Sequence, residues 1–357
     1  MAERSVLILS RHAAIGASSR LRMFQYIPAL ERAGFEVTVA PFFDEAYLRN
    51  LYSGRTRRIG DLVAAYGGRI AALTRARRFS VAWVQAETFP FLPGAFESTL
   101  SVAGVPYVVD YDDAIFHNYD MHRSALVRAL LGSKLRGLLR RASCVTAGNA
   151  YLEDYAAAQG AGKTARVPTV VDTTRYPVTR APEAGPLRVG WIGSPSTSRY
   201  LRSILPAIEA FGRRTPCTLV TVGAPPLSVE GIGLEQYEWS EDSEAAHLAS
   251  LHVGIMPLSD TPWERGKCGY KLIQYMACAR PAIASPVGVN REIVSEDVGF
   301  LACDEGQWVA ALERLAGDAA LRDALGARAR QVVESRYSLA AVAPRVVEIL
   351  RDAARAD

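Results

Sequence analysis

The sequence predicts an α/β protein of two doubly wound, Rossmann-like domains, and three observations carry that prediction. At 357 residues the chain is long enough to build two separate cores. Twice, from Ser5 and again from Leu187, an apolar strand-like run leads through a glycine-containing loop into a helical pattern. Residues 253–285 read as strand, charged loop, helix and strand, a βαβ unit of the kind whose strand ends and helix N-terminus form a ligand crevice.

Hydrophobic residues make up 49% of the chain and charged residues 22%, an ordinary globular balance that argues against disorder. No apolar run approaches the ~20 residues that span a bilayer, and no signal-peptide pattern is expected at the N-terminus. The five cysteines lack CxxC or Cys/His ligand spacing, so neither zinc nor a disulfide framework is expected and a reducing, cytoplasmic setting is. Residues 1–180 hold 23 Lys and Arg against 15 Asp and Glu, while the remainder is net acidic. A basic first half suits an acidic acceptor or a membrane surface.

In chain order, residues 5–9 read as the first strand. The loop 10–19 carries Arg11, His12, Gly16, Ser18 and Ser19 but is no GxGxxG fingerprint. A helix over 20–33 ends with Gly34 at C′, and a strand covers 37–40. Residues 44–59 read as irregular and basic, with Arg49, Arg55, Arg57 and Arg58, and stand evenly between acceptor contact and a solvated excursion. A helix over 62–78 and a strand over 81–85 place Glu87 at a strand end facing the crevice. The strand 107–110 runs into YDDAIFHNYD, with Asp110, Asp112, Asp113, His117 and Asp120. Carboxylates so crowded repel one another. A helix N-cap accounts for one of them, and an Asp-x-Asp metal site is a second account.

Residues 124–141 read as one amphipathic helix, with Leu126, Leu130, Leu131, Leu135, Leu138 and Leu139 opposed by Arg123, Arg128, Lys134, Arg136, Arg140 and Arg141. Such a helix either lies on anionic lipid or simply flanks a sheet. A strand over 144–147 and a helix over 151–159 follow. The Pro-bounded stretch 167–177 and the Pro/Ala/Gly-rich 179–186 form the expected linker, giving domains over 1–178 and 187–336 and a last helical segment over 337–357.

The second domain opens with a strand over 187–192 and the loop GSPSTSRYL, with further strands at 219–222 and 235–239. The strand ending at Pro257 enters a loop bearing Asp260, Trp263, Glu264, Arg265 and Lys267, and Pro281 stops the helix that begins at Tyr270. Lys267 and Lys271 lie one turn apart at that helix start. Cations at the positive end of a helix dipole are unfavourable unless an anion joins them, which points to a phosphate.

The run GKCGYKLIQYMACARPAIASPVGVNREIV resembles the donor-binding segment of the group 1 glycosyltransferases of family 4. SSRLRMFQYIPALERAGFEVTVAPFF and AGNAYLEDYA are similar to other parts of the same family. The resemblance implies the GT-B fold, two Rossmann-like domains facing a central cleft. It also implies retaining, metal-independent hexosyl transfer from a nucleotide-sugar donor to a hydroxyl, with no cofactor beyond that substrate. The acceptor would be a glycan, a lipid-linked sugar or a small molecule, and no nucleic acid is involved. A cytoplasmic enzyme is expected, with peripheral contact to the inner membrane face also open.

Residue by residue, the resemblance sets Gly16 where backbone approaches the donor phosphates. Gly193 and Ser194 fall in the loop that usually supplies an Arg and a Lys; Ser194 holds the Arg place, leaving Arg199 nearest, with Arg265, Lys267 and Lys271 as substitutes. Trp239 falls at the nucleobase. The family's two glutamates, with seven residues between them, are replaced by Gly266 and Gln274, the latter still able to bond a diol. Gly288 and Asn290 lie in the loop beside that helix, Arg20 and Glu87 on the acceptor side. A family histidine after the fourth strand is replaced by Asp112, with Asp113 beside it and His117 five residues on, as candidates for the proton-accepting or orienting group. The last helix is implied to cross back to the first domain. A GT-B sugar-nucleotide epimerase and a non-catalytic nucleotide-sugar-binding subunit are the alternatives.

Overall fold

The computed structural model describes residues 4–52, 59–179 and 185–354. Arg55, Arg57 and Arg58, and residues 180–184 of the expected linker, lie outside the described residues. The chain divides into two compact units. The first comprises residues 1–169, 266–268 and 342–357, and the second residues 170–265 and 269–341. The fold is the α/β GT-B class, each unit carrying one six-stranded, all-parallel sheet.

In the first unit the sheet order is β2-β1-β3-β4-β5-β6, with β1 Arg4–Leu9, β2 Phe35–Val39, β3 Val81–Gln85, β4 Tyr107–Tyr111, β5 Cys144–Ala147 and β6 Thr164–Arg166. Strands covered on both faces read as continuous apolar runs, and β3 and β4 are buried at every position. The order reverses between β1 and β3, so the carboxyl ends of these two strands frame the ligand crevice that doubly wound sheets provide.

In the second unit the order is β12-β11-β10-β7-β8-β9, with β7 Leu187–Ile192, β8 Cys217–Val222, β9 Gly233–Tyr237, β10 Val253–Met256, β11 Ala282–Ala284 and β12 Gly299–Leu301. Here the reversal falls between β7 and β10. The corresponding crevice lies at the Gly193 loop and the stretch after Met256.

Several local expectations are corrected. The helix expected over 20–33 is two helices, Ala17–Arg22 and Ile27–Arg32, joined by a 3-10 turn at Phe24–Tyr26, with Pro28 setting the second start. The stretch expected to be irregular from residue 44 contains a helix, Glu45–Tyr52. The expected helix over 124–141 is also two, Ala125–Leu131 and Arg136–Arg141. The break at Gly132–Leu135 turns Lys134 inward, where its ammonium meets Glu87 and Glu97 at 2.7 and 3.2 Å. The final helix starts later than expected, at Leu339, after a π-turn over Val333–Tyr337, and runs to Ala353.

Candidate functional site

At the β1 end of the first unit, the loop and following helix turn the hydroxyls of Ser18 and Ser19 and the backbone amide of Arg11 toward β3 and β4. Ser19 Oγ and the Arg11 amide donate to Gln85 Oε1 at 2.6 and 3.0 Å, and Gln85 Nε2 donates to Ser18 Oγ at 2.7 Å. Ser18 Oγ in turn donates to Asp112 Oδ2 at 2.6 Å. Gly16 caps this helix, and a Cβ there would sit 2.4 Å from His12 Cβ, so the close turn admits glycine alone. Arg20, expected on the acceptor side, lies half-buried on the same helix.

The crowded aspartates are resolved by giving each its own partner. Asp110 is buried and gripped by Arg22 through two parallel bonds, Nε to Oδ2 at 2.9 Å and Nη2 to Oδ1 at 2.7 Å, with Thr146 Oγ1 adding a third at 2.5 Å. Asp113 accepts from Lys267 at 2.7 Å. Among the described residues no cation pairs with Asp112. Loss of water pushes its carboxyl up to about 6; Arg22 and the Ser18 bond oppose this, and the neighbouring Asp110 and Asp113 charges reinforce it.

His117 is tied at both ring nitrogens, to Asp120 Oδ1 and to Tyr151 Oη at 2.7 Å each, and its ring meets Phe116 edge-on. It is thus engaged with its own helix and with Tyr151 instead of with Asp112. Glu87 is buried and accepts from Lys134 and Tyr119 at 2.7 Å and from Arg11 at 3.2 Å, which makes it the centre of an interior ion network. His12 went without a role in the sequence. Burial, then the neighbouring Arg11, lowers it to about 4, so it is neutral at pH 7, and its buried Nδ1 has no hydrogen-bond partner among the described residues.

The segment 266–268 packs tightly here. A Cβ on Gly266 would stand 2.5 Å from Ala114 Cβ and 2.9 Å from Ala114 N. Asn149 Nδ2 donates to the Lys267 carbonyl at 2.9 Å, and Cys268 Sγ donates to the Asp112 carbonyl at 3.0 Å. No side chain fits at Gly266, which accounts for the glycine where the resembling family has a glutamate.

In the second unit, Gly193, Gly223 and Trp239 come together at the carboxyl ends of β7, β8 and β9. A Cβ on Gly223 would lie 2.4 Å from the Gly193 carbonyl oxygen and 3.2 Å from Trp239 Cβ. Trp239 is 42% exposed, while its indole N–H donates to Glu244 Oε2 at 2.7 Å. The other Glu244 oxygen accepts from Tyr176 at 2.9 Å, and Gln274 Nε2 donates to Tyr176 Oη at 3.0 Å. Gln274 and Trp239 are therefore linked through Tyr176 and Glu244, two residues that sequence reading passed over because Tyr176 lies in the expected linker.

Lys271 holds its ammonium 5.4 Å from the Trp191 ring centre. Arg199 pairs with the buried Glu264 at 3.2 Å, and Tyr200 and Thr261 also donate to that carboxylate. Ser194 meets Ser196, hydroxyl to hydroxyl, at 2.9 Å. Arg265 pairs with Asp260 at 2.6 Å, and Gly288 packs against the Arg265 backbone. Asn290 donates to the Ser285 carbonyl at 3.0 Å, and its buried Oδ1 has no hydrogen-bond partner among the described residues. Lys267, expected beside Lys271, groups instead with the first unit.

Among the described residues no set of three or more His, Cys, Asp or Glu side chains is arranged to hold a metal ion, and no helix is long and apolar enough to cross a membrane. All five cysteines are free thiols.

No curated protein matches the chain. Among solved structures, HepE of Anabaena in complex with UDP and glucose is similar with a TM-score of 0.73 at 16% identity, covering 98% of this chain and 100% of that one. Sucrose-phosphate synthase from Thermosynechococcus elongatus gives 0.70 at 15% identity over 98% of both chains. A UDP-forming α,α-trehalose-phosphate synthase from Burkholderia xenovorans gives 0.63 at 15% identity, over 99% of this chain and 100% of that one. These likenesses establish the shared fold, and residues 187–318 match the family model described as Glycosyl transferases group 1.

Proposed function

We propose that this chain is a retaining glycosyltransferase that moves a sugar from a nucleoside-diphosphate sugar to an acceptor hydroxyl, without a bound metal. The observation that carries the reading is the grouping of Gly193, Gly223 and Trp239 at the strand ends of the segment that matches the glycosyltransferase model. A half-exposed indole, anchored through its N–H, offers a flat face for a base, and glycine backbone admits a diphosphate. A uridine diphosphate donor is the first to test, since HepE is described in complex with UDP and with UDP-glucose.

In this reading Lys271 and the amides at the start of the helix Tyr270–Ala277 stabilise the departing diphosphate. Asp112 accepts the proton of the acceptor hydroxyl. A carboxylate raised to about 6 is a better base than an ordinary one and is still ionised at pH 7. Asp110 and Asp113 keep their charges compensated by Arg22 and Lys267, an arrangement that supports a metal-independent step.

The test is a thermal-shift comparison of UDP, GDP and ADP, followed by incubation with UDP-sugars and assignment of the product anomer by NMR. Stabilisation by one nucleoside diphosphate and a product of unchanged anomeric configuration are expected. No stabilisation by any nucleotide would overturn the donor site, and an inverted product would overturn retention.

A further inference from the structure

We infer that the first unit carries a docking surface for an anionic lipid bilayer, formed by the helix Ala125–Leu131, the Phe91 turn and the arginines beside them. This inference stands apart from the sugar-transfer reading, because it rests on none of the residues assigned to donor or base.

The helix Ala125–Leu131 has no buried residue. Its Leu126 and Leu130, one turn apart on one face, are 68% and 64% exposed, and Met121 just before it is 54% exposed. A sheet-flanking helix would bury such a face, so this one presents apolar surface to the outside. Phe91 adds to it. It is 60% exposed, and its backbone takes φ 59°, the left-handed region that non-glycine residues rarely occupy. Its ring packs edge-on against Tyr119 at 5.6 Å, and the short helix His117–Asp120 that holds Tyr119 packs against Ala125–Leu131. An aromatic held outward at a conformational cost is the type of side chain that membrane interfaces receive.

The charge around this patch is mostly positive, the one acid on the adjoining helix, Asp120, being bonded to His117 at 2.7 Å. Residues 121–141 contain no Asp or Glu, and the inward-turned Lys134 is compensated by Glu87 and Glu97. Arg123, Arg128, Arg136, Arg140 and Arg141 remain on the outside. The last three line a crevice together with Ser98 and Ser133. Ser133 is three residues beyond Leu130, so the crevice opens within ~11 Å of the apolar face. Insertable apolar groups bordered by arginines, with a basic recess for a phosphate, match a leaflet rich in anionic headgroups better than a protein surface of mixed charge.

The experiment is co-sedimentation of the full chain with vesicles of phosphatidylcholine, with and without phosphatidylglycerol. Binding to the anionic vesicles, weakened by high salt and absent with phosphatidylcholine alone, is expected. Leu126→Ser with Leu130→Ser, and separately Arg123→Gln with Arg128→Gln, should each lower the partition coefficient, the latter by about fivefold per arginine. These side chains are exposed, so the melting temperature should stay at the wild-type value. Failure of the wild type to bind anionic vesicles would overturn the proposal, as would unchanged binding by both double variants. A concentration-dependent dimer abolished by Leu126→Ser with Leu130→Ser would assign the face to a second copy of this chain instead.

Discussion

Ser18 Oγ donates to Asp112 Oδ2 at 2.6 Å, while Asp110, two residues earlier, has both carboxylate oxygens taken up by Arg22. Two acids of one strand end are thereby made unequal. Asp110 is neutralised in place, and Asp112 carries a charge that its surroundings resist.

Asp112→Asn tests that inequality. It removes basicity at nearly constant volume, so the catalytic rate should fall by about a hundredfold or more while nucleotide binding changes little. In the wild type, kcat/KM should rise with pH through about 6, since the ionised form is the active one. The stability effect has the opposite sense. The folded state holds its proton more firmly than the unfolded chain, so Asp112 costs stability once pH rises through about 6, and the Asn variant should be as stable as wild type or more so at pH 7. Activity–pH profiles and urea midpoints at pH 5 and 7 check both. A profile flat across pH 6 would remove Asp112 from the proton transfer.

The donor site separates into base and phosphate contributions. Trp239→Ala should weaken nucleoside and nucleoside diphosphate alike, by about tenfold, the scale of one base–aromatic stack. Lys271→Ala should leave the nucleoside almost unaffected and weaken the diphosphate about ten- to a hundredfold. Calorimetric titration of both variants with uridine and UDP distinguishes the two. Equal losses for both ligands in Lys271→Ala would show a collapsed loop instead of a lost phosphate contact.

Gly266→Glu would place the resembling family's residue at the family's position, and the expected outcome is damage. Its Cβ would arrive 2.5 Å from Ala114 Cβ, against backbone as well as side chain. Overpacking of this kind costs about 1–3 kcal/mol, read as a lower melting temperature with no gain in donor affinity. Improved donor binding at unchanged stability would contradict the packing argument.

Lys134→Met should lower stability by about 3–5 kcal/mol, because Glu87 and Glu97 would lose a buried cation that both now touch. Stranded acids bind protons more readily folded than unfolded, so the deficit should shrink as pH falls. Urea unfolding of variant and wild type at pH 5 and pH 8 measures it. A constant difference would mean that the carboxylates find another partner.

The strands β1, β3, β4, β7 and β10 were legible because a parallel sheet buried on both faces leaves a mostly apolar run, interrupted by Arg188 in β7 and Asp110 in β4. The three-residue β6 and β12 are too short to show any period. Lys134 sat in a basic run and read as solvated, since nothing local announces that Gly132 and Ser133 end one helix and swing the next residue inward. The aspartate cluster was visible as chemistry at a strand end. The division of labour within it was not, because Arg22 and Ser18 come from a helix some ninety residues earlier in the chain. The same holds for Gln274, whose partner Tyr176 belongs to a segment with no periodicity of its own.

The last helix has a consequence for how the protein is made. From Val342 onward it groups with the first unit, where Val346, Ile349 and Leu350 line a small cavity with Trp83 and Val108. A ribosome finishes β6 at Arg166 long before it reaches those residues. At about 5–20 residues per second the emerging first sheet waits roughly 10 to 35 seconds for its final cover, with apolar side chains open to the cytosol or to a chaperone. Translation speed through the second unit therefore sets how long the nascent chain is exposed to aggregation, and a premature stop between residues 169 and 342 would release a first unit that has every strand and lacks its closing helix.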